Sequence, residues 1–495
     1  MNAQEVYKEL YPDSFNGKSP RPITGYTLNE IRIRPIFSDI VPQQVSLGSK
    51  IGPAILNIPL ISAAMDTVSG PDMACALSEV GGCAIIDRAK RPEVQLGWIK
   101  QALESKPCLV KNPKTLNPDQ PLEYAWDILR EHDISTVPIV SADNILLGIL
   151  FSHNIAFKDH ANELIEKWMV PFEELKTESP ETPFEKIKDR LLNEQECSVL
   201  PVIDAQRKLQ GIYFMQDFFD VNPSTHNGKP LVGMAVGVHE TDLERVEKAL
   251  EMGIGMIVID SSHGNCQAVI KQTKRIVPLA KGKAAVIAGN VADVDGYIRL
   301  AEAGADGVKC GIGSGSICTT SSVTGAGVPM FSLIRELSLA RKKMKEAGEN
   351  APAIISDGGI NGPGEMVIAL AAGSDLCMAG KWLVSAKESL SCQKNGAQNG
   401  YVFYRGMASK TAIDARVSYR YGKQKRAAEG VEGMVEYRGP LKTWIGKDME
   451  LVQGGFAHAG AKNIEEFHNF GNQPMSFIRF TSFGQNQIST RVEKL

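Results

Sequence analysis

A cysteine followed by two hydroxyl residues, Cys318-Thr319-Thr320, closes a glycine-rich run, GIGSGSICTT, over Gly311–Thr320. Glycine lets a backbone approach a ligand closely and reach positive φ. Successive loop N–H groups, joined by the hydroxyls of Ser314 and Ser316, form a concave cradle for an anion such as phosphate. A cysteine thiolate is a nucleophile, and a loop rich in N–H donors is a setting that favours it. The same glycine spacing also occurs in turns that bind nothing, and cysteine is among the most buried residue types. The run therefore gains meaning only from what other elements bring to it. Cys83 in GGCAII and Cys377 in DLCMAG read as plain core residues.

The elements that must position this loop alternate between short apolar runs and helical stretches. IPLIS at 58–62 and CAIID at 83–87 are bounded by turn residues and are too short for helices, so they read as buried strands. A helical stretch, Asp72–Val80, separates them. The pattern breaks and then resumes at 231, with strands predicted at 232–236, 256–260, 285–288, 307–310, 353–357 and 375–379. Helices are predicted at 241–252, 266–278, 293–303, 331–346 and 363–372. Two strands before the break and six after it imply a (β/α)8 (TIM) barrel, interrupted after its second strand. Such a barrel carries its active site at the C-terminal strand ends. Met65 and Asp66, Asp260 with Ser261, Ser262 and His263, Asn290, the Cys318 loop, Asp357-Gly358-Gly359 and Gly380 all fall there. Single strand-end acids and glycines are often only turn chemistry; chance places the whole set at one end poorly.

The interruption, residues 108–220, is an internal duplication. Val137-Pro138-Ile139-Val140 before Leu147-Gly148-Ile149-Leu150 recurs as Leu200-Pro201-Val202-Ile203 before Gln210-Gly211-Ile212-Tyr213. Pro138 to Pro201 and Gly148 to Gly211 are both 63 residues apart. Each copy follows an amphipathic helix, near 122–132 and 184–193. The insert resembles a tandem pair of cystathionine-β-synthase-type (CBS) modules, and the resemblance implies an adenine or guanine nucleotide as effector. Such modules often end in an Asp that holds a ribose. Copy one has Ser152-His153-Asn154 there and copy two has Met215-Gln216-Asp217, so only the second keeps the acid. A spacer without ligand is the other reading. The expected domains are 1–107 and 221–495 for the barrel and 108–220 for the insert.

Bulk properties narrow the classes. The 495 residues carry a net charge of −3, so no basic excess argues for nucleic acid or a membrane surface. Nine scattered cysteines without a C-x-x-C pair suit a reducing compartment, and a cytoplasmic protein is expected. Eight histidines form no H-x-x-x-H or H-E-x-x-H pattern, which argues against a protein-ligated zinc. The polar N-terminus has no signal-peptide core, and no apolar run is long enough to span a bilayer.

Six stretches, SAAMDTV (62–68), IDSSHGN (259–265), AGN (288–290), GIGSGSICTT (311–320), SDGGI (356–360) and YRGMASK (404–410), are similar in order to motifs of the IMP dehydrogenase and GMP reductase family. The likeness extends over nearly the whole chain. It implies that Cys318 attacks purine C2, with Thr320 in the position of the family's catalytic threonine. It implies that Ser316, Gly359, Gly380 and Tyr404 hold a 5′-phosphate, that Asp357 accepts from the ribose hydroxyls, and that Gly406, Met407 and Glu429 also meet the substrate. It further implies that Asp260, with Ser261, Asn290 and Gly311, holds the nicotinamide end of NAD, and that His239 lies near the adenosine. Carbonyls of Gly313, Gly315 and Cys318 match those that bind potassium. A homotetramer or octamer is implied as well.

The two sister activities share cysteine and barrel. The dehydrogenase hydrolyses the covalent intermediate with a mobile flap that brings an Arg-Tyr pair; the reductase has a shorter flap and releases ammonia. Residues 401–455 are polar and rich in Arg and Lys, as a lid is. Arg420-Tyr421 is the candidate pair, with Arg416 as rival. Ala64 in SAAMDTV and the run IDSSHGN favour the dehydrogenase, whereas VTGAGVP and RAAEG favour the reductase. The dehydrogenase is the preferred expectation. Lys381 stands where the family often has Ser, Ala408 replaces a usual Gly, and the C-terminus lacks the Glu-Ser-His expected at the potassium site. These departures keep a divergent paralogue, or a barrel that regulates without turnover, as further alternatives.

Overall fold

The computed structural model describes residues 2–12, 23–88, 91–131, 134–155, 160–194, 197–218, 222–414 and 428–480. The chain divides into two compact units, one made of 1–105 with 222–495 and the other of 106–221.

In the first unit, eight parallel strands close a barrel. They are β1 (Leu60–Ser62), β2 (Cys83–Ile86), β3 (Val232–Val236), β4 (Met256–Asp260), β5 (Ala285–Val291), β6 (Gly307–Cys310), β7 (Ala353–Asp357) and β8 (Leu376–Ala379). β8 pairs with β1, Cys377 opposite Leu60, and closes the ring. β2 pairs with β3, Ala84 opposite Val232, although the whole second unit lies between them in sequence. These strands are short and mostly apolar, rich in Ile, Val, Ala and Met, as parallel strands covered on both faces are. The connecting helices are α1 (Pro71–Glu79), α2 (Pro92–Leu103), α3 (Asp242–Met252), α4 (Gln267–Ala280), α5 (Val294–Glu302), α6 (Met330–Glu346) and α7 (Pro363–Ala372). The expected strands and helices fall within three residues of the observed ones. The insert leaves after α2, one helix beyond β2.

Local chemistry sets several boundaries. The Asp293 carboxylate caps α5 by accepting the Gly296 N–H. α3 ends at Gly253, whose φ of 96° gives the left-handed turn that releases the helix. Inside the barrel, Ile61, Ile85, Met256, Val258, Ile287, Ile355 and Leu376 pack into one cluster. A hairpin, Ser49–Ile51 with Ala54–Leu56, adds Ile51 and Leu56 to that cluster. Ile51 lies beside Gly307 at the start of β6, so the hairpin plugs the N-terminal end and leaves the other end open. The polar lead-in begins with a helix, Ala3–Leu10, capped by the Asn2 side chain, with Ala3 and Val6 buried.

After β8 the chain forms an antiparallel hairpin, β9 (Tyr401–Arg405) with β10 (Glu432–Glu436), and then α8 (Ile445–His458). Ile445, Met449, Val452 and Phe456 of α8 are buried in the main core. The described part of 401–455 thus comprises the two hairpin strands, a short helix, Lys410–Asp414, and most of α8.

The second unit repeats itself. Strands Thr136–Val140 and Leu146–Phe151 pair antiparallel with Pro138 opposite Ile149; Val199–Ile203 and Leu209–Phe214 pair with Pro201 opposite Ile212. A parallel bridge precedes each pair in register, Leu116 to Ile139 and Glu178 to Val202. The two glycines share a reason. A Cβ at Gly148 meets the Val170 carbonyl at 2.5 Å, and one at Gly211 meets the Val110 carbonyl at 2.9 Å, so each lets a neighbouring backbone close on its hairpin. Each half has its own apolar cluster, around Leu122, Val137 and Ile165 and around Ile187, Leu200 and Phe218.

Candidate active site

A pocket of about 220 Å³ opens at the C-terminal mouth of the barrel. Strand ends, the Gly311–Thr320 loop and the β9–β10 hairpin supply its wall. Its floor is ionic. Lys309, on β6, has a side chain only 2% exposed, and its ammonium donates to Asp357 Oδ2 at 2.6 Å, to Asp260 Oδ1 at 3.2 Å and to Asn290 Oδ1. Asn290 in turn donates to Asp357 Oδ2 at 2.9 Å and to the Gly311 carbonyl at 2.7 Å. Four strands, β4 to β7, thus converge on one buried cation. A buried charge is tolerable only when paired and hydrogen-bonded. Here the ammonium directs three donors to oxygen partners, and both carboxylates keep their positions at the mouth.

The Cys318 loop lies above this floor. The Cys318 Sγ donates to Thr320 Oγ1 at 3.2 Å, and the Thr320 hydroxyl donates to Glu429 Oε2 at 3.3 Å. The chain runs in the direction that carries a thiol proton to a carboxylate. The loop is stitched to the segment after β9 through the backbone. Thr319 N–H donates to the Glu429 carbonyl at 3.0 Å, Val431 N–H to Ile317 at 3.0 Å, and Glu429 N–H to Ala408 at 3.0 Å. Arg405 on β9 forms an ion pair with Asp66, which is 3% exposed and follows β1. Asp66 N–H also meets Met407 Sδ at 3.4 Å. The Arg405–Glu432 end of the hairpin is therefore fixed twice, to Asp66 after β1 and to the cysteine loop. Burial pushes the Cys377 thiol up to about 12 and raises Cys83 and Cys310 as well, which leaves them protonated core residues. Cys318 is only half-buried and faces the pocket.

Two glycines are required by close approach. At Gly311, φ is 126°, and a Cβ there meets the Asp357 carbonyl at 2.3 Å. At Gly380 a Cβ meets Tyr404 Oη at 2.5 Å. The Tyr404 phenol lies 3.7 Å from Met65 Sδ and within hydrogen-bonding range of the Ser316 hydroxyl; burial raises its pKa and keeps it neutral.

Of the residues expected from sequence, Cys318, Thr320, Ser316, Asp357, Gly359, Gly380, Tyr404, Gly406, Met407, Glu429, Asp260, Ser261, Asn290, Gly311, Gly313 and Gly315 all line this pocket. His239 does not; it is exposed after β3, and its carbonyl accepts the Gln272 amide at 3.1 Å. Arg416, Arg420 and Tyr421 lie outside the described residues. Lys309 and Arg405 escaped the sequence reading. The signal for Lys309 was a lone charge inside the buried strand GVKC. Among the described residues no cluster of three or more His, Cys, Asp or Glu is placed to hold a metal, and no helix is long and apolar enough to cross a membrane.

Fold and site define a (β/α)8 barrel whose pocket at the strand C-termini is lined by Cys318, Thr320 and Glu429. Residues 25–490 match the family model described as IMP dehydrogenase / GMP reductase domain. The chain belongs to that family of oxidoreductases. It is 34% identical over 476 residues to the inosine-5′-monophosphate dehydrogenase of Aquifex aeolicus (strain VF5), covering 94% of each chain. It is 33% identical over 471 residues to that of Bacillus subtilis (strain 168), covering 93% of this chain and 94% of that one. Among solved structures, a cysteine-to-alanine variant of GMP reductase from Trypanosoma brucei matches with a TM-score of 0.71 at 26% identity, covering 94% of this chain and 98% of the other. The same variant in complex with guanosine 5′-monophosphate matches with a TM-score of 0.66 at 26% identity, covering 96% and 99%.

Proposed function

We propose that this chain is an NAD-dependent IMP dehydrogenase, which oxidises IMP to XMP through a covalent adduct on Cys318. The observation that carries the reading is the Cys318–Thr320–Glu429 chain in a pocket whose floor holds Asp260 and Asp357. Glu429 accepts the thiol proton through the Thr320 hydroxyl as the sulfur adds to purine C2. The electron pair of C2=N3 moves to N3, which takes a proton. NAD, when bound, would take the hydride from C2; as N3 releases its proton, C2=N3 forms again. Water then adds at C2 and the Cys318 thiolate departs, giving XMP, with one NAD and one water consumed and one proton released. Asp357 receives the substrate ribose hydroxyls and Asp260, beside Ser261 and Asn290, those of the nicotinamide ribose. Two carboxylates held apart by one ammonium suit two diols.

The same reading assigns the 5′-phosphate to Ser316, Gly359, Gly380 and Tyr404. It assigns potassium to the carbonyls of Gly313, Gly315 and Cys318; that of Gly315 already accepts the Cys318 N–H at 3.0 Å and keeps one lone pair for an ion. The base that activates water is assigned to Arg420-Tyr421 or Arg416. The second unit is read as a tandem CBS pair with a purine nucleotide effector. A cytoplasmic homotetramer or octamer completes the reading, and the nine free thiols agree with a reducing compartment. GMP reductase is the second reading, favoured by the fold match to the Trypanosoma brucei reductase. In it Cys318 displaces ammonia from C2 of GMP, and NADPH returns a hydride.

Absorbance of the reduced nicotinamide decides between them. With IMP and NAD it rises if the proposal holds, and Cys318→Ala abolishes the rise. With GMP and NADPH it falls, with ammonia released, if the second reading holds. No change in either mixture overturns both.

A further inference from the structure

Charge in the pocket wall is unevenly committed. The described wall carries three carboxylates, Asp260, Asp357 and Glu429, and two ammoniums, Lys309 and Lys381. Lys309 is consumed by the two aspartates. No ion pair or hydrogen bond among the described residues engages Lys381, which is exposed at the rim. An anionic ligand entering a wall with an excess of carboxylate needs a cation that is free to meet it. Lys381 follows Gly380, where the Tyr404 hydroxyl makes its close approach and Ser316 adds a second hydroxyl.

We infer that Lys381 supplies the positive charge for the substrate's phosphate and so selects a nucleotide over a nucleoside; the inference rests on the purine-mononucleotide reading above. A lysine serves as a point charge on a flexible stem, so a rim position reaches a phosphate without a rigid fork. The phosphate loses its second proton near pH 6, so the advantage given by Lys381 grows as the dianion forms.

Calorimetric titration of the full-length protein with IMP, and competition of inosine and of inorganic phosphate against it, reads this directly. Lys381→Ser is expected to weaken IMP and phosphate by about ten- to a hundredfold. Inosine is expected to bind as before, and Lys381→Arg to restore much of the loss. The gap narrows at high ionic strength and below pH 6. Equal weakening of IMP and inosine marks a packing role and overturns the inference, as does unchanged IMP affinity. If wild-type protein binds neither IMP nor GMP, the mononucleotide reading itself fails, and the inference with it.

Discussion

At the barrel mouth one ammonium gathers partners that are distant in sequence, with Lys309 reaching Asp260, Asn290 and Asp357 from three other strands. Among the described residues of the inserted unit the ion pairs stand singly: Arg190 meets Glu178, and Arg207 meets Glu173 at 4.0 Å. The halves of the insert are instead alike in backbone register, Pro138 with Ile149 and Pro201 with Ile212. A closed barrel brings strand ends together whatever their separation, so it can concentrate chemistry. A duplicated hairpin keeps a scaffold, and its polar positions can diverge from copy to copy.

The sharpest way to break this comparison is to remove the convergent cation. Lys309→Met leaves two aspartates facing each other without a counter-charge. Breaking a buried pair in this way costs about 3–5 kcal/mol, read as the loss of unfolding free energy in denaturant. A variant as stable as wild type at neutral pH shows that the carboxylates do not depend on Lys309. A buried acid with no ion pair among the described residues sharpens the point. Glu336 on α6 accepts the Tyr11 hydroxyl at 2.7 Å, lies near Asp293, and is pushed up to about 7 by burial. It holds its proton in the folded state at pH values where the unfolded chain has lost it, so its contribution is present in acid and lost as pH rises from about 4.5 to about 7. Glu336→Gln should flatten that part of the stability profile, with a difference of about 3 kcal/mol above it. Parallel profiles across the range refute the assignment.

The third test belongs to the Cys318–Thr320–Glu429 chain. Glu429→Gln keeps the hydrogen bond from Thr320 but cannot take a proton. Turnover should fall by about a hundredfold while nucleotide binding is kept. Loss of binding with turnover of bound substrate intact makes Glu429 a contact only.

The sequence was most legible where one periodicity met one environment. Short runs such as MIVID and AVIAG can only be strands buried on both faces, and helical stretches between them fix the barrel and the end that bears chemistry. Lys309 was not legible as a site residue, because its meaning comes from three strands that no local pattern relates. The β9–β10 hairpin was hidden for a similar reason. Its strands pair Tyr401 with Glu436 and Arg405 with Glu432, with no two-residue turn between them to announce it, and their charges read as a lid. Helix Ala3–Leu10 was passed over among polar residues, although Asn2 before an Ala-x-x-Val spacing is a start signal. The insert was read through proline and glycine, which bear backbone constraints that duplication preserves.

The smallest effect is expected where the two copies of that insert differ. Asn154 and Asp217 occupy corresponding positions, each in a single 3-10 turn after its hairpin. The Asn154 amide donates to the Trp168 carbonyl at 3.2 Å, so its side chain serves its own fold. Asp217 is half-buried, and its carbonyl receives the Cys108 thiol at 3.4 Å, which holds the turn by its backbone. A carboxylate there can accept from both hydroxyls of a ribose; an amide offers one acceptor. Asp217→Asn should therefore weaken purine nucleotide binding to the insert by about tenfold, whereas Asn154→Ala should not change it. Titration with ATP and GTP, followed by a signal from the insert rather than by turnover, separates the outcomes. Equal effects of the two substitutions mean the copies have not diverged in function. Absence of binding in wild type makes the insert a scaffold alone, and the barrel mouth then carries all of the molecule's ligand chemistry.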